Sequence, residues 1–181
     1  MQRIPQLDPA NATTEVAATL AAVKSKLGMV PNIVKTMAQA PAVLNGYLAL
    51  SGAIGAGRLP AALREQIALV TAGINGCDYC ASAHSALGKM AGLGADEIKR
   101  NLAGDAADGK ARAAVTFTKK LVVDRGLVSD ADLGAVKAAG FSDEELLEIL
   151  GNVALNLFTN YFNHVADTDI DFPRVVASRA A

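Results

Sequence analysis

The chain has 181 residues, of which 51% are hydrophobic and 19% charged, and its formal net charge is −1. This length predicts a single domain, and the balance of apolar and charged residues excludes an intrinsically disordered chain. The near-zero net charge gives no electrostatic reason to bind nucleic acid or an anionic membrane surface. Aromatic residues make up only 4% and alanine is abundant, so the composition predicts an all-α fold with close helix–helix contacts.

The hydropathy pattern and the cysteine content indicate the compartment. No apolar run reaches the roughly 18 to 20 residues that a membrane span requires, and the N-terminus lacks the features of a secretory signal. We therefore expect no membrane partner and a cytoplasmic location. Two cysteines do not form the disulfide framework of a small secreted protein. In a reducing compartment, a close cysteine pair is more often catalytic or metal-binding than structural.

Glycine, proline and capping residues divide the chain into helices with short connections. Residues 1–12 are polar, contain two prolines and are predicted to form an N-terminal arm. The chain has no repeat and no internal linker, so we predict one helical-bundle domain over 1–181, with a C-terminal tail at 166–181. After the arm, helices are expected over approximately 13–26, 31–39, 41–54, 60–75, 78–90, 96–102, 108–125, 129–139 and 142–165.

Two of these helices begin with a capping sequence. Ser129 and Asp132 resemble a capping box, and Ser142 with Glu145 forms the stronger Ser-x-x-Glu version. The second box opens the most hydrophobic helix of the chain. His164 near its end is expected to be a hydrogen-bonded residue favoured by the helix dipole, and a direct part in the active site is the alternative.

Three aspartates follow in a predicted loop, at Asp167, Asp169 and Asp171. They lack the glycine and the terminal glutamate of a calcium-binding loop. We therefore expect a solvated segment or a subunit contact there, and no metal site.

The chemically informative segment carries two cysteines and a histidine at helical spacing. Cys77 and Cys80 are three residues apart, and His84 is four residues further on. On a helix with about 3.6 residues per turn, these offsets fall within an arc of about 60°. The three side chains are therefore predicted to share one face of the helix that begins near residue 78.

The start of that helix favours a thiolate. The Asn75-Gly76 pair predicts a turn that puts Cys77 at or just before the first helical turn. Helix N-termini carry partial positive charge and free N–H donors, which stabilise an anionic sulfur. A nearby imidazole supplies a second way to lower the pKa of a thiol.

Glu65 belongs to the preceding helix. It lies about 14 Å before the turn, and His84 lies about 11–12 Å beyond the turn, at about 1.5 Å per residue. If the two helices pack as an antiparallel hairpin, Glu65 is level with His84. We therefore predict a proton relay from Glu65 through His84 to Cys80, with Cys77 within reach of Cys80 to close a disulfide.

The spacing Glu-x11-Cys-x2-Cys-x3-His resembles the alkylhydroperoxidase D family, part of the carboxymuconolactone decarboxylase-like superfamily. Residues 31–34 and 159–173 are more loosely similar to its peroxidase-related branch. The resemblance implies an all-α homo-oligomer that reduces hydroperoxides with electrons from an external dithiol. It also implies a peroxide-attacking thiol at Cys80, a resolving thiol at Cys77 and a relay at Glu65 and His84. No cofactor and no resident metal are expected.

One position departs from the family's pattern. The best-studied type of member has a histidine immediately before the second cysteine, where this chain has Tyr79, preceded by Asp78. A negative Asp78 opposes thiolate formation. Tyr79 can donate a hydrogen bond but is a poor base at neutral pH, so it is expected to line the pocket.

Other uses of the same residues remain open. The dithiol could serve as a disulfide reductase or adaptor that does not react with peroxide. A non-enzymatic helical oligomer could instead use Cys77, Cys80, His84 and Glu65 as a structural zinc site. A lactone-type decarboxylase is a weaker alternative, because nothing in the dithiol stripe serves decarboxylation.

Overall fold

The computed structural model describes residues 2–177, and in this range the chain is helical with no β-strand. A short 3-10 turn at Pro9–Asn11 precedes the α-helices. The all-α prediction is confirmed. The described helices are α1 Thr14–Leu27, α2 Asn32–Met37, α3 Pro41–Gly55, α4 Ala61–Asn75, α5 Asp78–Met90, α6 Ala95–Leu102, α7 Gly109–Val123, α8 Asp130–Ala138 and α9 Asp143–Ala166.

The helix ends follow from local capping chemistry. Ser129 and Ser142 each accept a hydrogen bond from the third residue of their helix, and both reciprocal capping boxes are complete. Gly28 and Gly76 end α1 and α4 with φ values of 77° and 66°, a left-handed conformation that glycine adopts without steric cost. The predicted boundaries therefore rest on signals that act within one helical turn.

Helix α4 is the centre of the bundle. It packs against α5, α6, α7 and α9, and every residue from Gln66 to Gly73 is buried. At Gly73 the backbone of α6 comes so close that a Cβ atom would overlap the carbonyl oxygen of Leu102. Since α4 carries Glu65 and ends at the turn before Cys77, the most buried helix also positions the first half of the candidate site.

Two apolar clusters hold the other helices around α4. One packs α1, α2 and Leu44 of α3 against α5 and includes both cysteines. The other joins α4 to α7, α8 and the first half of α9 through Phe117, Ile149 and neighbouring aliphatic side chains. The cysteine pair is therefore built into a packed core.

The predicted arm and tail both pack on the bundle. The N–H groups of Arg3 and Leu7 donate to the carbonyls of Ala166 and Lys35, at 2.7 and 3.0 Å. In the tail, the N–H of Val175 donates to Ser82 Oγ of α5 at 2.9 Å. Residues 178–181 of the predicted tail lie outside the described residues.

The expectation of a solvated aspartate loop is wrong for Asp171. Its Oδ2 accepts from the backbone N–H of Asn32 at the start of α2, and its Oδ1 accepts from the hydroxyl of Tyr79. A half-buried carboxylate with two such donors is a structural tie between α2, α5 and the tail. Separately, none of the helices described has both the length and the apolar character of a membrane span.

Candidate functional site

The hairpin of α4 and α5 places both cysteines at one helix start. Cys77 is the N-cap of α5, and its Sγ accepts a hydrogen bond from the backbone N–H of Cys80 at 3.3 Å. Both cysteines are reduced and buried, with 1% and 2% of Cys77 and Cys80 exposed. The sequence predicted this position for Cys77, because the Asn75-Gly76 turn ends the preceding helix directly before it.

Glu65 and His84 meet across the same hairpin. Nδ1 of His84 donates to Oε2 of Glu65 at 2.8 Å, and about a fifth of each side chain is exposed, 21% and 20% respectively. The register predicted from equal distances to the turn is therefore present. A carboxylate bonded to Nδ1 fixes the ring and leaves Nε2 as the group that can exchange a proton.

Replacing Glu65 by glutamine is expected to lower the pKa of His84. Burial lowers the pKa of His84, but the charge and hydrogen bond of Glu65 outweigh burial and raise it above its usual value. Stability from a raised histidine pKa is fully present below the unfolded value of about 6.5 and is lost as pH rises through the folded value. The variant's loss of unfolding free energy is therefore expected to be largest in acidic solution.

Proton NMR of the two imidazole rings measures this pKa directly. A His164→Gln variant assigns the two sets of signals, because the chain has only two histidines. Chemical denaturation between about pH 5 and 9 gives the pH dependence of stability. An unchanged His84 titration in Glu65→Gln would contradict the role given to this ion pair.

The sulfur of Cys80 lies in a polar recess formed by α9. Nδ2 of Asn163 donates to Cys80 Sγ at 3.2 Å. Burial raises the pKa of the Cys80 thiol, but side-chain hydrogen bonds, with Cys77 first and Asn163 second, outweigh it, and the net shift is downward. Cys80 is therefore the sulfur of the pair that this environment favours as a thiolate.

Cys77 has the opposite tendency. Its bond to Cys80 and its burial raise the pKa of the Cys77 thiol, against a smaller opposing effect of the Cys80 N–H. When Cys80 is ionised, the Cys77 thiol can donate its proton to the neighbouring anion. The two thiols thus divide into an anionic sulfur and a protonated neighbour, which is the state a nucleophile and a resolving thiol need.

The residues around Cys80 on α9 are the part of the site that sequence reasoning missed. Thr159 to Asn163 entered only as a loose family similarity, with no chemical role. The sequence does carry a signal, because a helix that buries Leu146, Ile149 and Val153 also carries asparagines at intervals of four, four and three. These are Asn152, Asn156, Asn160 and Asn163, each no more than 5% exposed.

The two residues between the cysteines point to the tail. Asp78 accepts from the N–H of Ala177 at 3.0 Å and lies 3.6 Å from the guanidinium of Arg174. Those partners offset the negative charge that was expected to oppose thiolate formation. Burial raises the pKa of Tyr79, whose hydroxyl accepts from the N–H of Ile33 and donates to Asp171. Tyr79 is thus a wall of the site, as expected, and also a structural tie.

An open cleft of about 610 Å³ reaches this site from the surface. Its wall includes Cys77, Tyr79 and Asn163, and also His164 and Arg174. His164 lies exposed in the last turn of α9. The volume is in the range that holds a small organic molecule.

The residues of the alternative zinc site are not arranged as a set of metal ligands. Within residues 2–177, no group of three or more His, Cys, Asp and Glu side chains is arranged to hold a metal ion. In the hairpin the carboxylate of Glu65 is bonded to the ring of His84. The same atoms that would ligate a metal are thus used in a hydrogen bond.

Comparisons with known proteins support the helical fold described above. The model of the carboxymuconolactone decarboxylase family matches residues 41–120, which include all of the α4–α5 hairpin. A peroxidase-related protein with an alkylhydroperoxidase AhpD core, from Ralstonia eutropha JMP134, is 26% identical with a TM-score of 0.85, covering 94% of this chain and 92% of that one. A peroxidase-related protein from Silicibacter sp. TM1040 is 24% identical with a TM-score of 0.81, covering 92% and 89%.

A third similar structure is that of an enzyme with a different activity. The debrominase Bmp8, solved as a Cys-to-Ala variant with 2,3,4-tribromopyrrole, is 20% identical with a TM-score of 0.79, covering 94% of this chain and 92% of that one. No curated protein shows significant sequence similarity to the chain. The family match over the dithiol hairpin and the fold shared with the two peroxidase-related structures, one of them an AhpD core, support a place for this chain in the alkylhydroperoxidase D-like/carboxymuconolactone decarboxylase superfamily.

Proposed function

We propose that this protein is a thiol-dependent peroxidase with an antioxidant role, acting through a dithiol/disulfide cycle. The Cys80 thiolate attacks the terminal oxygen of a hydroperoxide, so that an S–O bond forms while the O–O bond breaks. The leaving alkoxide takes a proton from the His84 imidazolium and departs as an alcohol. The sulfur has then lost two electrons to the peroxide and is a sulfenic acid.

The cycle closes on Cys77. Its sulfur attacks the Cys80 sulfenic acid, an S–S bond forms, and hydroxide leaves with the Cys77 proton as water. An external dithiol returns two electrons and two protons by thiol–disulfide exchange. The cleft that reaches Cys77 supports access for such a donor. The reducing cytoplasm is the compartment that we propose for this cycle.

One observation carries the proposal: a buried sulfur with polar donors around it lies one helical turn from a second thiol. Asn163 donates to Cys80 Sγ at 3.2 Å, and Cys77 lies at the N-cap beside it. A structural cysteine in an apolar core has a raised pKa and no such donors. Glu65 contributes by keeping His84 oriented and charged as a proton donor.

The proposal is tested by comparing two reactions of the purified protein. With a dithiol reductant present, we expect consumption of hydrogen peroxide or an organic hydroperoxide well above the rate of free cysteine. The disulfide reductase or adaptor alternative predicts rapid exchange with a model disulfide and peroxide consumption no faster than that of free cysteine. That second pattern would remove the peroxidase proposal and favour the alternative.

A second candidate, reductive dehalogenation, draws on the similarity to the debrominase Bmp8. In this reaction an aromatic carbon–halogen bond is replaced by carbon–hydrogen, and the dithiol supplies the two electrons as it becomes a disulfide. The same cysteine pair and proton donor would serve. Release of bromide from a bromopyrrole in the presence of dithiol, without peroxide consumption, would favour this candidate.

We also propose that the protein self-associates through α3 and α9. Helix α3 has fifteen residues and no charged side chain, yet only Leu44 is buried. It packs on α9, which exposes Phe158, Tyr161 and Val165 by 40%, 57% and 63%. An apolar helix left largely open to solvent is typical of a subunit interface.

Substituting Leu50, which is 46% exposed on α3, by glutamate is expected to dissociate the oligomer, because a charge would be buried at the interface. Leu127→Glu is the matched control, since Leu127 is 85% exposed and lies outside α3 and α9. Light scattering after size-exclusion chromatography gives the mass of each. A monomeric wild-type protein at micromolar concentration would contradict this assembly.

A further inference from the structure

Two buried polar atoms on α9 have no hydrogen-bond partner in the described part of the chain. They are Nδ2 of Asn160 and Oδ1 of Asn163. Asn160 is 0% exposed and Asn163 is 4% exposed. An unpaired buried donor or acceptor destabilises a folded protein, so such atoms at a reactive sulfur call for a functional explanation.

The second polar atom of each side-chain amide already has a hydrogen-bond partner. Oδ1 of Asn160 accepts from Nδ2 of Asn75, at 2.9 Å, in the turn before Cys77. Nδ2 of Asn163 donates to Cys80 Sγ at 3.2 Å. These two bonds orient both amide groups, and they leave one free donor and one free acceptor on the side chains that surround Cys80.

The two residues lie side by side on one face of α9. Residues three apart on a helix have Cβ atoms about 5–6 Å from each other and share a face. Thus Asn160 and Asn163 lie next to each other at the sulfur. The cleft comes as far as Asn163 and Cys77, which are both part of its wall.

One donor next to one acceptor is complementary to a hydroxyl group, which both accepts and donates. We propose that Asn160 and Asn163 bind the terminal hydroxyl of a hydroperoxide substrate beside Cys80, with Asn160 donating to its oxygen and Asn163 accepting its hydrogen. This inference rests on the proposed peroxidase function and assigns two residues that position the O–H of its hydroperoxide substrate.

The same two contacts serve the product of the first step. The terminal oxygen keeps its hydrogen when it moves to sulfur, so the hydroxyl held by the amides becomes the S–O–H of Cys80 sulfenic acid. The O–O bond is then directed away from α9, and the alkoxide leaves towards a proton donor. The two asparagines therefore orient the peroxide oxygen at the sulfur before attack and retain it afterwards.

The test separates binding of the hydroxyl from ionisation of the thiol. Cys80 alkylation by iodoacetamide, followed against pH by mass spectrometry, gives the thiolate fraction of each variant. Oxidation of Cys80 by hydrogen peroxide is then measured and divided by that fraction. We expect Asn160→Ala and the isosteric Asn160→Asp, which both lack the free donor, to lose about tenfold or more in the normalised oxidation rate. The rate of Cys80 alkylation, divided by the same thiolate fraction and called normalised alkylation, should change far less.

The chain offers a matched control on the same helix face. Asn156 is a buried asparagine whose Nδ2 donates to the carbonyl of Asn152 and not to Cys80. Asn156→Ala should leave both normalised rates near those of the wild type. Asn163→Ala should raise the pKa of Cys80 and also slow normalised oxidation. Thermal melts identify any variant that does not fold, and Asn163→Ala keeps the test decisive if both Asn160 variants are unfolded.

Two outcomes overturn the inference and differ from failure of the proposed function. Normalised oxidation could fall no further than normalised alkylation in the Asn160 and Asn163 variants, or Asn156→Ala could lose as much as they do. In either case the wild type still reacts rapidly with peroxide, and only the hydroxyl site is wrong. A wild-type protein that reacts with peroxide no faster than free cysteine removes both proposals.

Discussion

Replacing Cys80 by serine is expected to lower peroxide consumption by about a thousandfold or more, because removal of a nucleophile that acts with a general acid costs at least that factor. A serine hydroxyl does not ionise in this environment and cannot form the S–O bond. The donors that favour an anionic sulfur, Asn163 at 3.2 Å among them, then have no thiolate to stabilise. Steady-state peroxide consumption with excess dithiol measures the effect.

Cys77→Ser is the informative partner of that variant. It leaves the Cys80 sulfur in place but removes the thiol that closes the disulfide, so we expect a single turnover that stops at the sulfenic acid. Trapping with a 1,3-diketone and intact-protein mass spectrometry should locate one adduct at Cys80. The opposite pattern, in which Cys77→Ser is inactive and Cys80→Ser completes one turnover, would assign the attacking sulfur to Cys77.

Attack by Cys77 in place of Cys80 is physically reasonable, and for this reason both variants are needed. Cys77 is the N-cap residue and accepts the N–H of Cys80, an interaction that also favours a thiolate. Cys80 accepts a side-chain donor from α9 and lies at the polar recess. The proposal holds that the side-chain donors on Cys80 outweigh the single backbone donor on Cys77.

Gly73→Ala is expected to destabilise the protein by about 2–4 kcal/mol, since an added methyl group at this position must push two helix backbones apart. The new Cβ would overlap the carbonyl oxygen of Leu102, which belongs to the backbone of α6 and cannot rotate aside. For a chain of this size the melting temperature should fall by about 5–15 °C. Calorimetry or circular dichroism measures the shift.

Gly134→Ala is the control for helix propensity. Gly134 lies inside α8 with open space where its Cβ would be, so alanine should stabilise the protein by about 0.5–1 kcal/mol. Opposite signs at the two glycines would show that the cost at Gly73 comes from helix contact. A neutral or stabilising Gly73→Ala would mean that α4 and α6 can separate without loss, contrary to the packing described.

The secondary structure and half of the candidate site could be predicted from the sequence because both depend on nearby residues. Capping boxes, the Asn75-Gly76 turn and proline positions act within one or two turns of helix. The stripe of Cys77, Cys80 and His84 follows from the period of one helix. The pairing of His84 with Glu65 follows from one short hairpin, in which distance along the chain fixes which residues are level.

Contacts across the bundle could not be predicted in this way. Asn163 meets Cys80 across 83 residues, and Asp171 meets Tyr79 across 92. These pairs depend on how α9 and the tail pack against α5, which local propensity does not specify. Asp171 is an example. The composition of its segment predicted a solvated loop, whereas packing makes Asp171 a structural tie between three segments.

The sequence by itself therefore determined the all-helical fold, the dithiol at a helix start and the carboxylate–imidazole pair, since each is decided by spacing along one helix or one hairpin. The tertiary structure decided what surrounds the favoured sulfur, Cys80. The bond to Cys77 lowers the pKa of Cys80 most, and the amide of Asn163 adds to it, since α9 is brought to Cys80 by the burial of its apolar neighbours against α4. Burial by itself raises a thiol pKa, and hydrogen bonds from a neighbouring thiol and from a distant part of the chain together reverse its sign.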